Sequence, residues 1–330
     1  MNSWGAAAAI KTVTMAAEAF CYNARLFELN QVVLITFRMK RIELAGSEHA
    51  VLLIHGLQGV PTEMQSLAKR LHKAGYTVRV PHFRGYGFME GDTAHSVTTW
   101  QDWHNQVMAE LRDLKRQYKT VSVGGLCIGA VLALSAAAEA GDEISGLSLL
   151  STTLYYDGWS IPWYRFMLPL GYYTPFRYLY AYKEREPFGL KNEQLRRWVA
   201  REMSHKTSSI AGASNLTLPA IHEGELLIKS VKRRLPQVTT PTLVIHAVDD
   251  DVSTPRSADF VTSHIGADHV HKVLLHNSYH MITMDNEREL VADETIKFFN
   301  DLVGTGSPGQ DAEQHPVVSS SPRLSLVHAA

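Results

Sequence analysis

Apolar residues fall along this chain in two alternating periods. The runs AVLLIHG (50–56), YTVRVPH (76–82), TVSVGGL (120–126), ISGLSLLST (144–152), TPTLVIHA (240–247) and HKVLLHN (271–277) are short and dense in Val, Ile and Leu, as buried strands are. Between them lie stretches whose apolar positions recur every three to four residues, the spacing of a helix with one face on a core. In TTWQDWHNQVMAELRDLKRQY, Trp103, Val107, Leu111 and Leu114 make such a face. PTEMQSLAKRLHKAG opens on Pro61 and closes at Gly75, which suits a helix because proline fits the first turn and glycine the position just past the last. Strands alternating with helices predict β-α-β units and an α/β fold, with a mainly parallel sheet flanked by helices.

The alternation lapses between about 153 and about 230. LYYDGWSIPWYRFMLPLGYYTPFRYLYAYKEREPFGLKN is too rich in aromatics and prolines for a helix lying on the sheet, and NEQLRRWVAREM then returns to a helical period. Placed between two strands, this segment is expected to be an inserted helical cap. After 303 the chain reads GTGSPGQDAEQHPVVSSSPRLSLVHAA, which offers little apolar surface to bury, so 304–330 is expected to be a disordered tail. Residues 1–40 form an N-terminal extension without a decisive pattern, which leaves 41–303 as the folded domain.

Composition narrows the function classes. With 45% hydrophobic residues in 330, the chain can bury a large core. A formal net charge of -1 provides no basic field for phosphates, so no nucleic-acid partner is expected. The start, MNSWGAAAAIKTVTMAAEAF, has no basic residue before its alanine run and is interrupted at Lys11, unlike a signal peptide. No run reaches the roughly 18 uninterrupted apolar residues of a membrane helix, so the expectation is a cytoplasmic protein without stable membrane insertion. Two cysteines, Cys21 and Cys127, make no disulfide framework, and no Cys/His motif has zinc spacing. Neither metal nor cofactor is therefore expected. Cys21 has no motif around it.

The chemistry gathers at TVSVGGLCIGAVLALSAAAEAG, where an apolar strand ends on glycines and restarts as a small-residue helix. Cys127 sits at the turn, flanked by Gly125 and Gly129 at the spacing of a nucleophile elbow, in which a tight strand-to-helix turn lifts the central side chain above the sheet. A thiol attacks as thiolate and needs a base within reach and an acid to orient that base. AVDDDVSTP ends one strand in Asp249, Asp250 and Asp251, and NSYHMITMD follows the next with His280. Loops after parallel strands are where such sheets collect active residues.

Taken in chain order, LLIHGLQGVPTEM, RGYG (84–87), the elbow, AVDDDVSTP and NSYHMITMD make the chain resemble the α/β-hydrolase family over roughly 50–302. Within that family it looks like the capped bacterial carboxylesterases and monoacylglycerol-lipase-like enzymes. The resemblance implies the α/β-hydrolase fold with a cap. It puts the nucleophile at Cys127, the base at His280, the acid at Asp250, and an oxyanion hole at the backbone N–H groups of Leu57 and Ile128. Two positions depart from the family pattern: cysteine replaces the usual serine at 127, and Tyr86 stands where histidine is frequent.

The expected function is hydrolysis of small-molecule acyl esters or thioesters through a Cys-His-Asp triad and an acyl-thioenzyme. Acyl transfer from the same thioenzyme is the alternative, and a non-catalytic acyl-binding protein is a third reading. His55, His246 and His276 read as packed or hydrogen-bonded structural residues, and Asp249 and Asp251 as solvated turn residues. Trp159, Trp163, Phe166, Met167, Leu168 and Leu170 are expected to line the site and favour medium acyl chains. No oligomeric state follows from the residues.

Overall fold

The structure is a computed structural model and describes residues 41–303 apart from 206, 207, 210, 211 and 214. The expected extension 1–40, with Cys21, and the expected tail 304–330 lie outside the described residues.

Seven strands build the central sheet: β1 (Ile42–Leu44), β2 (His49–Ile54), β3 (Thr77–Val80), β4 (Thr120–Leu126), β5 (Leu147–Leu150), β6 (Thr242–Ala247) and β7 (Val270–Leu275). Their order is β1-β3-β2-β4-β5-β6-β7. β1 runs antiparallel to β3, and every other neighbouring pair is parallel. Every residue of β2, β5 and β6 is buried, which explains why these strands read as continuous apolar runs: helices cover both faces of a parallel sheet. β1 is a short edge strand with no buried residue, so it carries no periodic signal.

The flanking helices are α1 (Gln65–Lys73), α2 (Trp100–Gln117), α3 (Ile128–Ala140), α6 (Leu218–Arg234), α7 (Arg256–His264) and α8 (Arg288–Val303), with α4 (Leu168–Tyr172) and α5 (Glu193–His205) in the segment above the sheet. On one face, Trp103, Val107, Leu111 and Leu114 of α2 share a core with α3 and Leu227 and Val231 of α6. On the other, Leu67 and Leu71 of α1 pack with Phe299 of α8. Pro61–Met64 form a 3-10 turn, so α1 begins one turn later than its proline suggests. Gly75, at φ 102°, takes the left-handed position after its end.

Between β5 and α6 the chain leaves the sheet. This segment holds 3-10 turns at Trp163–Met167 and Pro175–Tyr178, α4, α5, and antiparallel strand pairs joining Ala181–Lys183 to Asn215–Thr217 and Ser208–Ser209 to Gly212–Ala213. It is therefore mixed in secondary structure rather than purely helical. α6 falls within the expected insertion yet buries Leu227, Ile228 and Val231 in the core beside the sheet. Its first residue, Leu218, donates its N–H to Tyr180 O at 3.3 Å and so supports the segment above.

Candidate active site

A tight turn separates β4 from α3. Cys127 lies there at φ 58° and ψ −119°, a backbone region L-residues rarely occupy and one that costs about 1–3 kcal/mol. The turn is held by Cys127 N–H donating to Leu150 O at 2.9 Å and Ala130 N–H donating to Cys127 O at 3.2 Å. A Cβ on Gly125 would stand 2.3 Å from Gly129 O, and one on Gly129 would stand 2.4 Å from His55 O. Only glycine fits either position. Ile128 opens α3, whose residues through Ala137 are all buried.

Two loops at the same end of the sheet bring partners to this turn. Asp250, after β6, faces the His280 ring, after β7, with Nδ1 2.9 Å from Oδ1 and 2.8 Å from Oδ2. A carboxylate only accepts, so Nδ1 carries the hydrogen. Asp250 also accepts from Val252 N–H at 2.9 Å and Ser253 N–H at 2.8 Å. Burial opposes its charge, but His280, His246 and the Ser253 N–H together hold it below the usual carboxylate value. Burial likewise pulls His280 down, yet Asp250 and Cys127 together outweigh it and keep the imidazole well above its ordinary value. His280 Nε2 is buried with no hydrogen-bond partner. Cys127 Sγ lies 3.4 Å from Thr153 Oγ1, and both Cys127 and His280 line one cavity of about 280 Å³.

Three consecutive aspartates meet three environments. Only Asp250 of the three reaches the His280 ring. Asp249 is exposed and pairs with Lys191 Nζ at 2.8 Å. Asp251 differs from the solvated turn residue expected: it is buried, accepts His280 N–H at 3.3 Å through Oδ1, and accepts Ser160 Oγ at 2.7 Å through its carbonyl. Gly158 packs against the Asp251 backbone with room for no Cβ. His246 is buried and bonds Ser253 O at 2.7 Å, and His55 is buried with Nδ1 2.9 Å from Gly56 O. His276, expected to be packed or hydrogen-bonded, is exposed and bonds through its backbone to Glu287 and Lys191.

The loop after β2 makes a reverse turn, closed by Gly59 N–H donating to Gly56 O at 3.0 Å. Leu57 lies on it and lines the cavity. Tyr86 brackets the turn from behind: its OH donates to His55 O at 2.7 Å, and its carbonyl accepts Gln58 N–H at 2.9 Å. The tyrosine that departs from the family pattern is thus an anchor for this loop.

The cavity lining differs in part from expectation. Trp159 and Leu168 line it, but Trp163, Phe166, Met167 and Leu170 point outward and are 82%, 72%, 50% and 74% exposed. Tyr156, Tyr164, Tyr182, Phe188 and Ile221 supply much of the remaining wall. Tyr156 carries the Arg165 guanidinium over its ring at 4.1 Å, and Arg165 is paired with Glu225 of α6. Two carboxyl groups on the cavity have no counterpart in the sequence reading. Glu63 and Glu184 are each pushed up to about 7, chiefly by burial. The one available signal for Glu63 was its place in a first helical turn after Pro61, which reads as an ordinary helix cap. Glu184 sits in an irregular segment and gives no signal. Among the described residues, no group of three or more His, Cys, Asp or Glu could hold a metal ion, and no helix is long and apolar enough to cross a membrane.

Comparison with known proteins adds relatives. The family model Hydrolase_4, described as serine aminopeptidase, S33, matches residues 46–287. A thermostable monoacylglycerol lipase of Bacillus sp. (strain H-257) is 29% identical over 249 residues, covering 76% of this chain and 89% of its own. A carboxylesterase of Bacillus subtilis (strain 168) is 26% identical over 258 residues, covering 78% of this chain and 94% of its own. Among solved structures, a metagenome-derived lipolytic enzyme superposes with a TM-score of 0.67 at 24% identity, over 80% of this chain and 98% of that one. The monoacylglycerol lipase of Paleococcus ferrophilus superposes with a TM-score of 0.65 at 15% identity, over 80% and 98% respectively.

Proposed function

Because the chain belongs to the Hydrolase_4 (serine aminopeptidase, S33) family and has the α/β-hydrolase fold, we propose that it is an esterase-type hydrolase working through Cys127, His280 and Asp250. The observation that carries this reading is the His280 ring, bonded to Asp250 through Nδ1 while its buried Nε2 stays unpartnered on the cavity that Cys127 lines. Cys127 Sγ attacks the acyl carbonyl, and His280 Nε2 takes the thiol proton. The tetrahedral oxyanion is stabilised by the N–H groups of Leu57 and Ile128. As that intermediate collapses, the alcohol leaves with the proton from His280, and an acyl-thioenzyme remains. Water, deprotonated by His280, then releases the acid and restores the thiol. Asp250 holds the imidazole in the productive tautomer and balances its charge.

The lining and the relatives support a substrate class. Leu57, Leu168, Ile221 and Met281 offer apolar surface to an acyl chain, while Glu184 and Asp251 offer hydrogen-bond acceptors to a polar alcohol. The matched relatives are named as a monoacylglycerol lipase and a carboxylesterase. Medium-chain carboxylic esters of small polar alcohols fit both, and acyl thioesters suit the same thiol chemistry.

Intact-mass spectrometry tests this reading after incubation with p-nitrophenyl esters and acyl-CoA thioesters. The expected result is an acyl mass confined to Cys127 that decays in water. Decay only on addition of an alcohol would replace hydrolysis with acyl transfer. Acyl binding with neither adduct nor turnover would make the protein a non-catalytic binder, and turnover without an adduct at Cys127 would overturn the thiol mechanism.

A further inference from the structure

We propose that Glu63 is a positioning residue whose carboxylate clamps both ends of the turn carrying the Leu57 N–H and so aims that N–H at the oxyanion. The proposal rests on the acyl-thioenzyme reading above. Glu63 is 2% exposed. Its Oε2 accepts Gly56 N–H at 2.8 Å and its Oε1 accepts Val60 N–H at 3.1 Å, so the two oxygens hold the residues on either side of Leu57, Gln58 and Gly59. Gly56 O in turn accepts from Gly59 N–H at 3.0 Å and from His55 Nδ1 at 2.9 Å. In a planar trans peptide the N–H points opposite to the carbonyl. Holding Gly56 O on one side therefore sends Leu57 N–H to the other.

The surroundings are shaped to admit this carboxylate. A Cβ at Gly59 would lie 2.2 Å from Glu63 Oε1, and one at Gly212 would lie 3.0 Å from it. The residue itself is tethered by Thr283 Oγ1, which donates to Glu63 O at 2.8 Å. Gln58, on the same turn, accepts Thr217 N–H at 2.7 Å through its side chain, so the segment above the sheet rests on the structure that Glu63 fixes. The ionised form is the one that serves best, because protonation makes one oxygen a hydroxyl, a donor that accepts only weakly, and the charge strengthens both bonds. Burial opposes the charge of Glu63, the Gly56 and Val60 N–H groups and then His280 favour it, and Glu184 opposes it further, which leaves the group at about 7.

The test compares two reactions of Cys127: turnover of a p-nitrophenyl ester, which passes through an oxyanion, and alkylation by iodoacetamide, which does not. Glu63→Gln turns one acceptor into an amide NH2 facing a backbone N–H. Losing one oxyanion donor costs about 10²–10³ in kcat, so the expected result is a loss of roughly tenfold or more in kcat, with KM and the alkylation rate within about threefold of wild type. Gly59→Ala, which presses on Oε1 without removing charge, should give the same pattern. A smaller loss in kcat, or an equal loss in alkylation, overturns the proposal. Should neither variant fold, the wild type decides. Its ratio of kcat/KM to alkylation rate rises between pH 6 and 8 if the clamp works as a carboxylate, and a flat ratio overturns it. Absence of alkylation or acylation at Cys127 would instead refute the thiol mechanism, so the two failures are distinguishable.

Discussion

The backbone at Cys127 is held at φ 58° by glycines that no other residue could replace, so the elbow survives exchange of its side chain. Cys127→Ala is therefore expected to abolish ester turnover in a folded protein, whereas Cys127→Ser should keep a measurable fraction, since base and oxyanion donors suit an alkoxide as well. Retention of more than a few per cent of the wild-type rate by Cys127→Ala would sink the mechanism. The same logic separates the aspartates. Asp250→Asn can hold the imidazole in the unproductive tautomer, a change that costs on the order of 10⁴ in serine proteases. A loss of about 10²–10³ in kcat is expected here, because a thiol needs less help to ionise. Asp249→Asn loses one exposed ion pair with Lys191, and Asp251→Asn keeps an oxygen for His280 N–H; both should stay within a few-fold of wild type. Equal losses in all three would mean that the acid lies elsewhere.

The segment between β5 and α6 carries its apolar residues on two sides. Leu168 faces the cavity, while Trp163 and Phe166 of the preceding 3-10 turn are 82% and 72% exposed. Chain-length preference should follow the inward set alone, since an acyl methylene gains about 0.8 kcal/mol only where it leaves water. Leu168→Ala is expected to shrink the kcat/KM advantage of an octanoyl over an acetyl p-nitrophenyl ester by roughly three- to tenfold, about one methylene's contact or slightly more. The double variant Trp163→Ser and Phe166→Ser should leave that advantage unchanged. A profile that peaks at acetyl, or one altered equally by both, would argue for a different acyl site.

In the molecule as a whole, the cavity concentrates negative charge that folding must tolerate. Glu184 is raised to about 7 by burial and by Asp251. A carboxyl group that binds its proton more tightly when folded contributes stability that is complete below its unfolded value and is lost as pH rises through the folded one. Glu184→Gln removes this loss. It should raise the Tm at pH 8 by a few degrees, corresponding to about 1 kcal/mol because the half-buried group is partly screened by solvent, and leave it nearly unchanged at pH 4, below the unfolded value. Scanning calorimetry at the two pH values checks this, and a gain at pH 4 of the same size would show that the effect is packing rather than charge.

Much of this architecture is written locally. The buried strands, the α2 face and the Gly125-Cys127-Gly129 turn depend on period and close spacing, which operate within a dozen residues and so can be read along the chain. His280 and the trio of aspartates were legible because motifs at parallel strand ends recur in a set order. The distinction among Asp249, Asp250 and Asp251 was not, since neighbours in sequence differ only by which side of a loop meets residues distant in the chain: Asp250 meets His280, and Asp249 meets Lys191. The inward and outward aromatics around α4 and the turn-facing carboxylate of Glu63 belong to the same class. An irregular segment has no period to define a buried face, so the orientation of its side chains is settled by contacts with residues far away in the chain and by the cost of leaving a charge or an aromatic ring on the wrong side of them.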